Sequence, residues 1–509
     1  MKNHFWSVLA CLAIGCAEAP APATPPQPSP PPPTAAAPVE PPQLAAASQT
    51  TGIPITSKSP QAIEEFKIGR DQFENMRPAE SLEHFKKALE LDPDFAQAHA
   101  YAAFLLPGAE GLAELDKAAQ IAGSLPEAER LNIEAIVAER RGEGAKAAEL
   151  TKKLGQLAPG DWRAHWYMGT QASQQHRWDD ATTELKKAVE LNPKAGTVYN
   201  QLGYSYLMQG NKDGAVAAFK NYAEAAPNEP NAHDSLADAL LAANKLDEAE
   251  AEYKKALEVS PQFWFSWGGI AATHALRGDW KGAYEALASA AKAAPRPSDK
   301  LEAKSILAWT QFSEGKAADA FETVAALEKE AESQKQPVNL AFAGLDRVGM
   351  LIETGKAKDA LKKLDEVIPR TEKDKLPGEA LGAVRRLGLV LRATAEEKLG
   401  KKDDLAKTLA TLQTEVSKRP DSVRAQSQAE YVQGLVALAA GDAKGGAAHF
   451  DKCVSEQPYC KWRQVTTLEK AGDKAGAATI KQKIVETPTR ETMYLYVRSK
   501  LGTIAKPKK

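Results

Sequence analysis

Three histidines, His99, His165 and His233, stand 66 and 68 residues apart, and four cysteines fall at positions 11, 16, 453 and 460. Imidazole and thiolate are the side chains that hold zinc, and together they make a nucleophile and its base. Their spacing decides whether either chemistry is open. No HExxH, CxxC, GxSxG or GxxxxGK[ST] run occurs in the 509 residues. A zinc hydrolase, a nucleophile elbow and a P-loop therefore all lack their local signature. The sequence predicts no catalytic residue, no metal site and no cofactor.

What positions these residues is a repeat. Pro159, Pro193, Pro227, Pro261 and Pro295 are each 34 residues apart, and so are Ala147, Ala181, Ala215, Ala249 and Ala283. Pro93 and Pro126 extend the proline series upstream at 33-residue steps. Alanine-rich blocks with Lys and Glu favour helix, and a fixed period of this length marks a stack of helical pairs. The three histidines share one repeat position in alternate units. Packed helices lie about 8–10 Å apart, which puts alternate units roughly 20 Å apart. Zinc needs ligands at about 2 Å, so the histidines read as packing residues.

The clearest unit is GTVYNQLGYSYLMQGNKDGAVAAFKNYAEAAP, 196–227. It resembles the tetratricopeptide repeat, with Tyr199, Leu202, Gly203, Tyr206, Ala215, Phe219 and Pro227 on signature positions. Gly203 and Ala215 let two antiparallel helices approach, the aromatics fill the flanking space, and Pro227 ends the second helix. The resemblance covers 61–297 as regular repeats and 298–485 as degenerate ones with longer helices. There GKAADA, GKAKDA, GKKDDLA, GDAKGGA and GDKAGA look like turns followed by the small residue of the second helix. It implies an all-α, right-handed solenoid of about 11 repeats. Residues 486–509 follow as a capping helix and tail, with Tyr494, Val497 and Leu501 inward and Arg498 and Lys500 outward.

At the other end, Lys2 precedes an apolar run from Phe5 to Gly15, eleven residues long. A helix needs about 20 residues to span a bilayer, so the run has the length of an export signal. Leu12-Ala13-Ile14-Gly15-Cys16 resembles the lipobox of bacterial lipoproteins. That resemblance implies removal of 1–15 and lipidation of Cys16, and Ala17 in place of Asp implies the outer membrane, facing the periplasm. The other reading of this segment is a secretory signal without lipid. From Pro20 to Pro42 twelve residues are proline, so 16–60 is expected to be an extended linker reaching on the order of 100 Å.

In an oxidising envelope Cys453 and Cys460 have the option of closing a disulfide across VSEQPY; two free buried thiols are the alternative. Trp166, Tyr204 and Phe265 fall on positions that the repeat family turns toward its concave groove. They are the candidate partner-binding residues, against a second reading as packing aromatics. Trp267 is placed in the core, and Trp264 on the preceding proline turn. The family's carboxylate clamp is not reproduced, because Arg70 is one isolated basic residue there. A formal net charge of -2 with 26% charged residues gives no nucleic-acid footprint.

Function is thus expected to be that of a lipid-anchored envelope scaffold holding a protein or peptide partner. The competing readings are an enzyme or glycan-binding protein using 298–485, and a structural spacer.

Overall fold

The computed structural model describes residues 52–75, 77–106, 108–418, 422–453 and 458–504. The expected signal segment, Cys16 and nearly all of the linker lie outside them. Among the described residues there are twenty-five helices and no strand. Among them eleven pairs of consecutive helices pack as antiparallel hairpins. In chain order they are α1 (Pro60–Glu74) with α2 (Pro78–Leu91), α3 (Ala96–Leu105) with α4 (Gly108–Ala122), and α5 (Glu127–Arg140) with α6 (Gly144–Leu157). Next come α7 (Trp162–Gln174) and α8 (Trp178–Leu191), followed by the pairs α9 (Gly196–Met208) with α10 (Lys212–Ala225) and α11 (Pro230–Ala242) with α12 (Leu246–Val259). Then follow α13 (Phe265–Leu276) with α14 (Trp280–Ala293), α15 (Pro297–Glu314) with α16 (Ala317–Ser333), and α17 (Pro337–Glu353) with α18 (Ala357–Lys373). The last three pairs are α19 (Gly378–Lys398) with α20 (Lys402–Ser417), α21 (Val423–Ala439) with α22 (Ala443–Asp451), and α23 (Pro458–Lys470) with α24 (Lys474–Glu486). A single helix, α25 (Thr492–Lys500), closes the order.

Each laddered proline sits between a second helix and the next first helix, where a missing N–H costs no helical bond. The turn inside a hairpin is made differently. Ten of them contain one residue in the left-handed region: Gly142, His176, Gly210, Asn244, Gly278, Gly315, Gly355, Gly400, Gly441 and Gly472. Around Gly210 the Asn211 amide donates back to the Tyr206 carbonyl at 2.8 Å, which closes the end of α9 as a Schellman turn. Asn211 then caps α10 by accepting from the Gly214 amide at 3.0 Å, and Asp279, Asp442 and Asp473 repeat that cap.

Five residues after every one of these turns the chain is buried. The series runs Ala147, Ala181, Ala215, Ala249, Ala283, Ala320 and Ala360, all with no exposure, then Leu405, Gly446 and Ala477. The turn therefore sets which residue of the second helix faces the first. In the 400–405 turn the buried residue is Leu405; Ala406, which the motif reading picks, is exposed. From α15 to α21 every helix has 16–21 residues, against 12–14 from α7 to α14.

Contacts divide the chain into two compact units, one reaching Gln171 and including Thr183–Ala195, the other formed by Ala172–Thr182 and everything from Gly196 onward. In the first unit Phe66, Phe85, Phe95 and Tyr101 interlock under α1 to α4. In the second, a Cβ placed on Gly203 would lie 2.6 Å from the Phe219 ring. Gly69 with Phe85, in the first unit, and Gly434 with Phe450 repeat this fit at the same spacing of sixteen residues. Replacing Gly203 with Ala should push the fully buried Phe219 off its rotamer and cost about 1–3 kcal/mol. The check is a lowered denaturant midpoint at unchanged circular-dichroism amplitude.

Candidate functional site

The second unit holds its own C-terminal segment against the first helices of its hairpins. Asp234 and Asp238 lie one turn apart on α11, where like charges repel, so the pair needs a cation. Arg490 supplies it from 256 residues further on: two guanidinium nitrogens donate to Asp234 at 3.0 and 2.9 Å, and one lies 3.0 Å from Asp238. Ser266 donates to Asp234 at 2.6 Å, and the Tyr253 hydroxyl to Asp238 at 2.6 Å. Two carboxylates and one guanidinium leave a net negative charge in a buried place. Burial pushes the Asp238 carboxyl up to about 6; Arg490 opposes the shift, and the Asp234 charge adds to it.

Beyond Arg490, α25 packs on α13, α15 and α23. Tyr494, Leu495, Tyr496 and Val497 are all buried. The Tyr496 ring lies 5.8 Å from Trp309 and 5.5 Å from Phe312. Its hydroxyl donates to Glu353, which also accepts from the Tyr459 hydroxyl at 2.7 Å. The expected cap therefore lies against first helices of the array as well as the final hairpin. Arg498, expected outward, is buried and donates to the Tyr494 hydroxyl and to Thr503.

The first unit is covered along one edge by an extended stretch, residues 52–58, running opposite to the order of the hairpins. The Ile53 amide donates to Asp161, just before α7, at 2.9 Å. Gln97 of α3 donates to the Pro54 carbonyl at 2.6 Å. Glu129 of α5 accepts the Thr56 amide at 3.0 Å and its hydroxyl at 2.6 Å. Asp92 accepts the Ser57 hydroxyl at 2.5 Å and the Lys58 amide at 2.8 Å. Burial alone would raise the Asp92 carboxyl, yet these donors and the Asp94 amide outweigh it and hold it below its ordinary value. Inside the same unit Arg163 grips Glu74 with two bonds, at 2.5 and 2.8 Å, and so ties α7 to α1. Arg70, expected to stand alone, shares that carboxylate at 3.9 Å.

The three aromatics expected to line a groove are placed as follows. Trp166 is 2% exposed and stacks with Trp162 and Tyr167. Tyr204 is 8% exposed, with its hydroxyl 3.2 Å from Ser235. Phe265 is half-buried against Trp264, at 4.3 Å between rings. Trp166 and Tyr204 are thus core residues in this structure, and truncating either would cost folding energy before it touched a partner. Phe265 is the one of the three that is not fully buried. Trp264 is the buried member of its cluster, whereas Trp267 is half-buried.

The histidines are more than packing residues. His165 meets Glu184 at 2.7 Å, His233 meets Glu252 at 2.8 Å, and His99 meets Glu114. The second ring nitrogens of His99 and His165 face the carbonyls of Pro93 and Pro159 at 2.8 and 3.0 Å, so each ring clasps its hairpin to the preceding proline turn. Among the described residues no group of three or more His, Cys, Asp or Glu is placed to hold a metal, and no helix is long and apolar enough to cross a membrane. Cys453 and Cys460 are joined as a disulfide, with their Cα atoms 6.4 Å apart.

Residues 168–230 and 235–299 match the tetratricopeptide repeat family. No curated protein matches the chain. Solved structures similar to it include a tetratricopeptide repeat protein from Parabacteroides merdae, 18% identical, covering 52% of this chain and 98% of its own with a TM-score of 0.39. MamA of Desulfovibrio magneticus RS-1 is 18% identical over 33% of this chain and 96% of its own, with a TM-score of 0.31. A thermophilic TPR protein of Thermus thermophilus is 21% identical over 40% of this chain and 94% of its own, with a TM-score of 0.27.

Replacing Arg490 with Ala strands two buried carboxylates and should weaken docking of the C-terminal segment by about 3–5 kcal/mol; faster hydrogen exchange at 494–498 is the readout. Lowering the pH should raise the stability of the folded unit. A carboxyl raised to about 6 in the folded chain, from 3.8, takes up a proton there before the unfolded chain does. The penalty of its charge is therefore relieved as pH falls from 7 to 5. The denaturant midpoint should rise over that interval, and Asp238→Asn should flatten its share of the change.

Proposed function

We propose that this chain is a lipid-anchored scaffold of the bacterial cell envelope that binds a protein partner and helps assemble or tether an envelope complex. The tetratricopeptide repeats supply a protein-interaction fold. One observation carries the binding part: side chains on or beside helices of the array hold non-helical polypeptide, at 52–58 in the first unit and at Arg490 in the second. Lys2, the apolar run and Cys16 support the anchor, and Ala17 supports the outer membrane. A tether of this kind acts through local concentration, because it keeps the array within reach of partners at one surface.

Replacing Cys16 with Ser should move the protein from the membrane fraction to the soluble periplasmic fraction. Unchanged membrane fractionation would remove the anchor from this reading. Crosslinking in cells, followed by identification of the bound chains, tests the scaffold itself.

A further inference from the structure

The edge that holds residues 52–58 is built from side chains unsuited to a purely architectural role. Glu129 is fully buried, Asp92 is 4% exposed, and Gln97 is fully buried. Two of the three donors on Glu129 come from Thr56, and the third is Gln97 at 2.8 Å. Removing the segment would take two of the three donors from Glu129 and leave Gln97 and solvent to replace them. Yet the segment itself contributes little burial. Ile53 is its one buried side chain, set among Leu131, Leu154 and Ala164, while Ile55 is partly buried. The C-terminal segment of the second unit, by contrast, buries four successive side chains of α25 besides Arg490.

The contacts also have the form of recognition. The track reads main-chain groups at 53, 54, 56 and 58, hydroxyls at 56 and 57, and an apolar side chain at 53. Main-chain bonds of this kind give affinity for any extended chain, and the pocket and hydroxyl contacts give selectivity. Asp94 adds an ion pair to Lys58 at 2.6 Å.

We propose that this acidic track is a docking site for an extended segment of a partner protein with the pattern apolar, proline, apolar, hydroxyl, hydroxyl, basic, and that residues 53–58 occupy it in the partner's absence. The proposal rests on the reading of the chain as a partner-binding scaffold and names the face and the chemistry. A partner segment gains by replacing a stretch held through one buried side chain, and every acceptor of the track keeps a donor during the exchange.

The test uses the full-length chain and a fluorescein-labelled peptide, TGIPITSKS. Ile53→Asp removes the anchor of the resident segment. The labelled peptide should bind this variant at least ten-fold more tightly than the wild type. Adding Glu129→Gln should weaken that binding at least ten-fold, and a peptide with Asp in place of its first Ile should not bind. No saturable binding to Ile53→Asp, with helicity intact, would overturn the proposal. If that variant loses helicity, Thr56→Val with Ser57→Ala serves in its place, with the same outcomes decisive. Mixing a Gly52→Cys copy with an Asp161→Cys copy covers the other occupant. A crosslinked heterodimer would give the track to a second copy of this chain and overturn the partner reading. None of these outcomes depends on Cys16 or on the fraction in which the protein is found in cells.

Discussion

Two helices of a hairpin approach closely only where neither carries bulk, and the structure sets that place from the turn. A left-handed residue ends the first helix, and the fifth residue beyond it is pressed against that helix. Alanine fills the position in eight of the ten cases, because a methyl group occupies the gap without forcing the axes apart. Everything else in the array is arranged around this distance: the aromatic that lies over glycine at 203 and 434, the proline that stops the second helix, and the stacking of one hairpin on the next within each unit. Asn244 meets the same backbone requirement as glycine at modest cost, since its short polar side chain tolerates the left-handed region.

Much of this was legible in order, because it is local. The proline and alanine ladders place helix ends and helix contacts within a few residues, and no long-range information is needed. Leu405 escaped because the motif points to an alanine one residue too late, where the spacing from Gly400 does not. The histidines were legible as structural residues but not as clasps; their glutamates stand nineteen residues on in two of three cases, a regularity within reach of a spacing search. Arg490 and Arg498 could not have been read at all. Nothing near TPTRE suggests that its arginine belongs with two aspartates 256 residues earlier, and charge alone assigns an arginine on a terminal helix to solvent. The burial of Trp166 and Tyr204 was hidden for a related reason: a repeat position predicts which way a side chain points, not how deeply its neighbours bury it.

The two units meet the same problem, acidic side chains beside a returning segment, by opposite electrostatic means. In the second, a cation is brought to two neighbouring carboxylates, and burial makes that of Asp238 costly to ionise, a cost that acid relieves. In the first, the carboxylates receive amides and hydroxyls, as at Asp92, where ionisation is what makes the bonds. One arrangement is a lock with a deep hydrophobic seat, and the other is a row of separate polar latches.

That row has a mechanical side. Because residues 52–58 run backward along the array, Gly52 lies beside Asp161, just before α7, although the stretch continues into α1 at the other end of its track. Tension applied there would load the Ile53 latch first, then Thr56 on Glu129, and only last the bonds to Asp92. Peeled in sequence, each latch bears the whole load alone, so a modest force suffices where simultaneous shearing would need the sum.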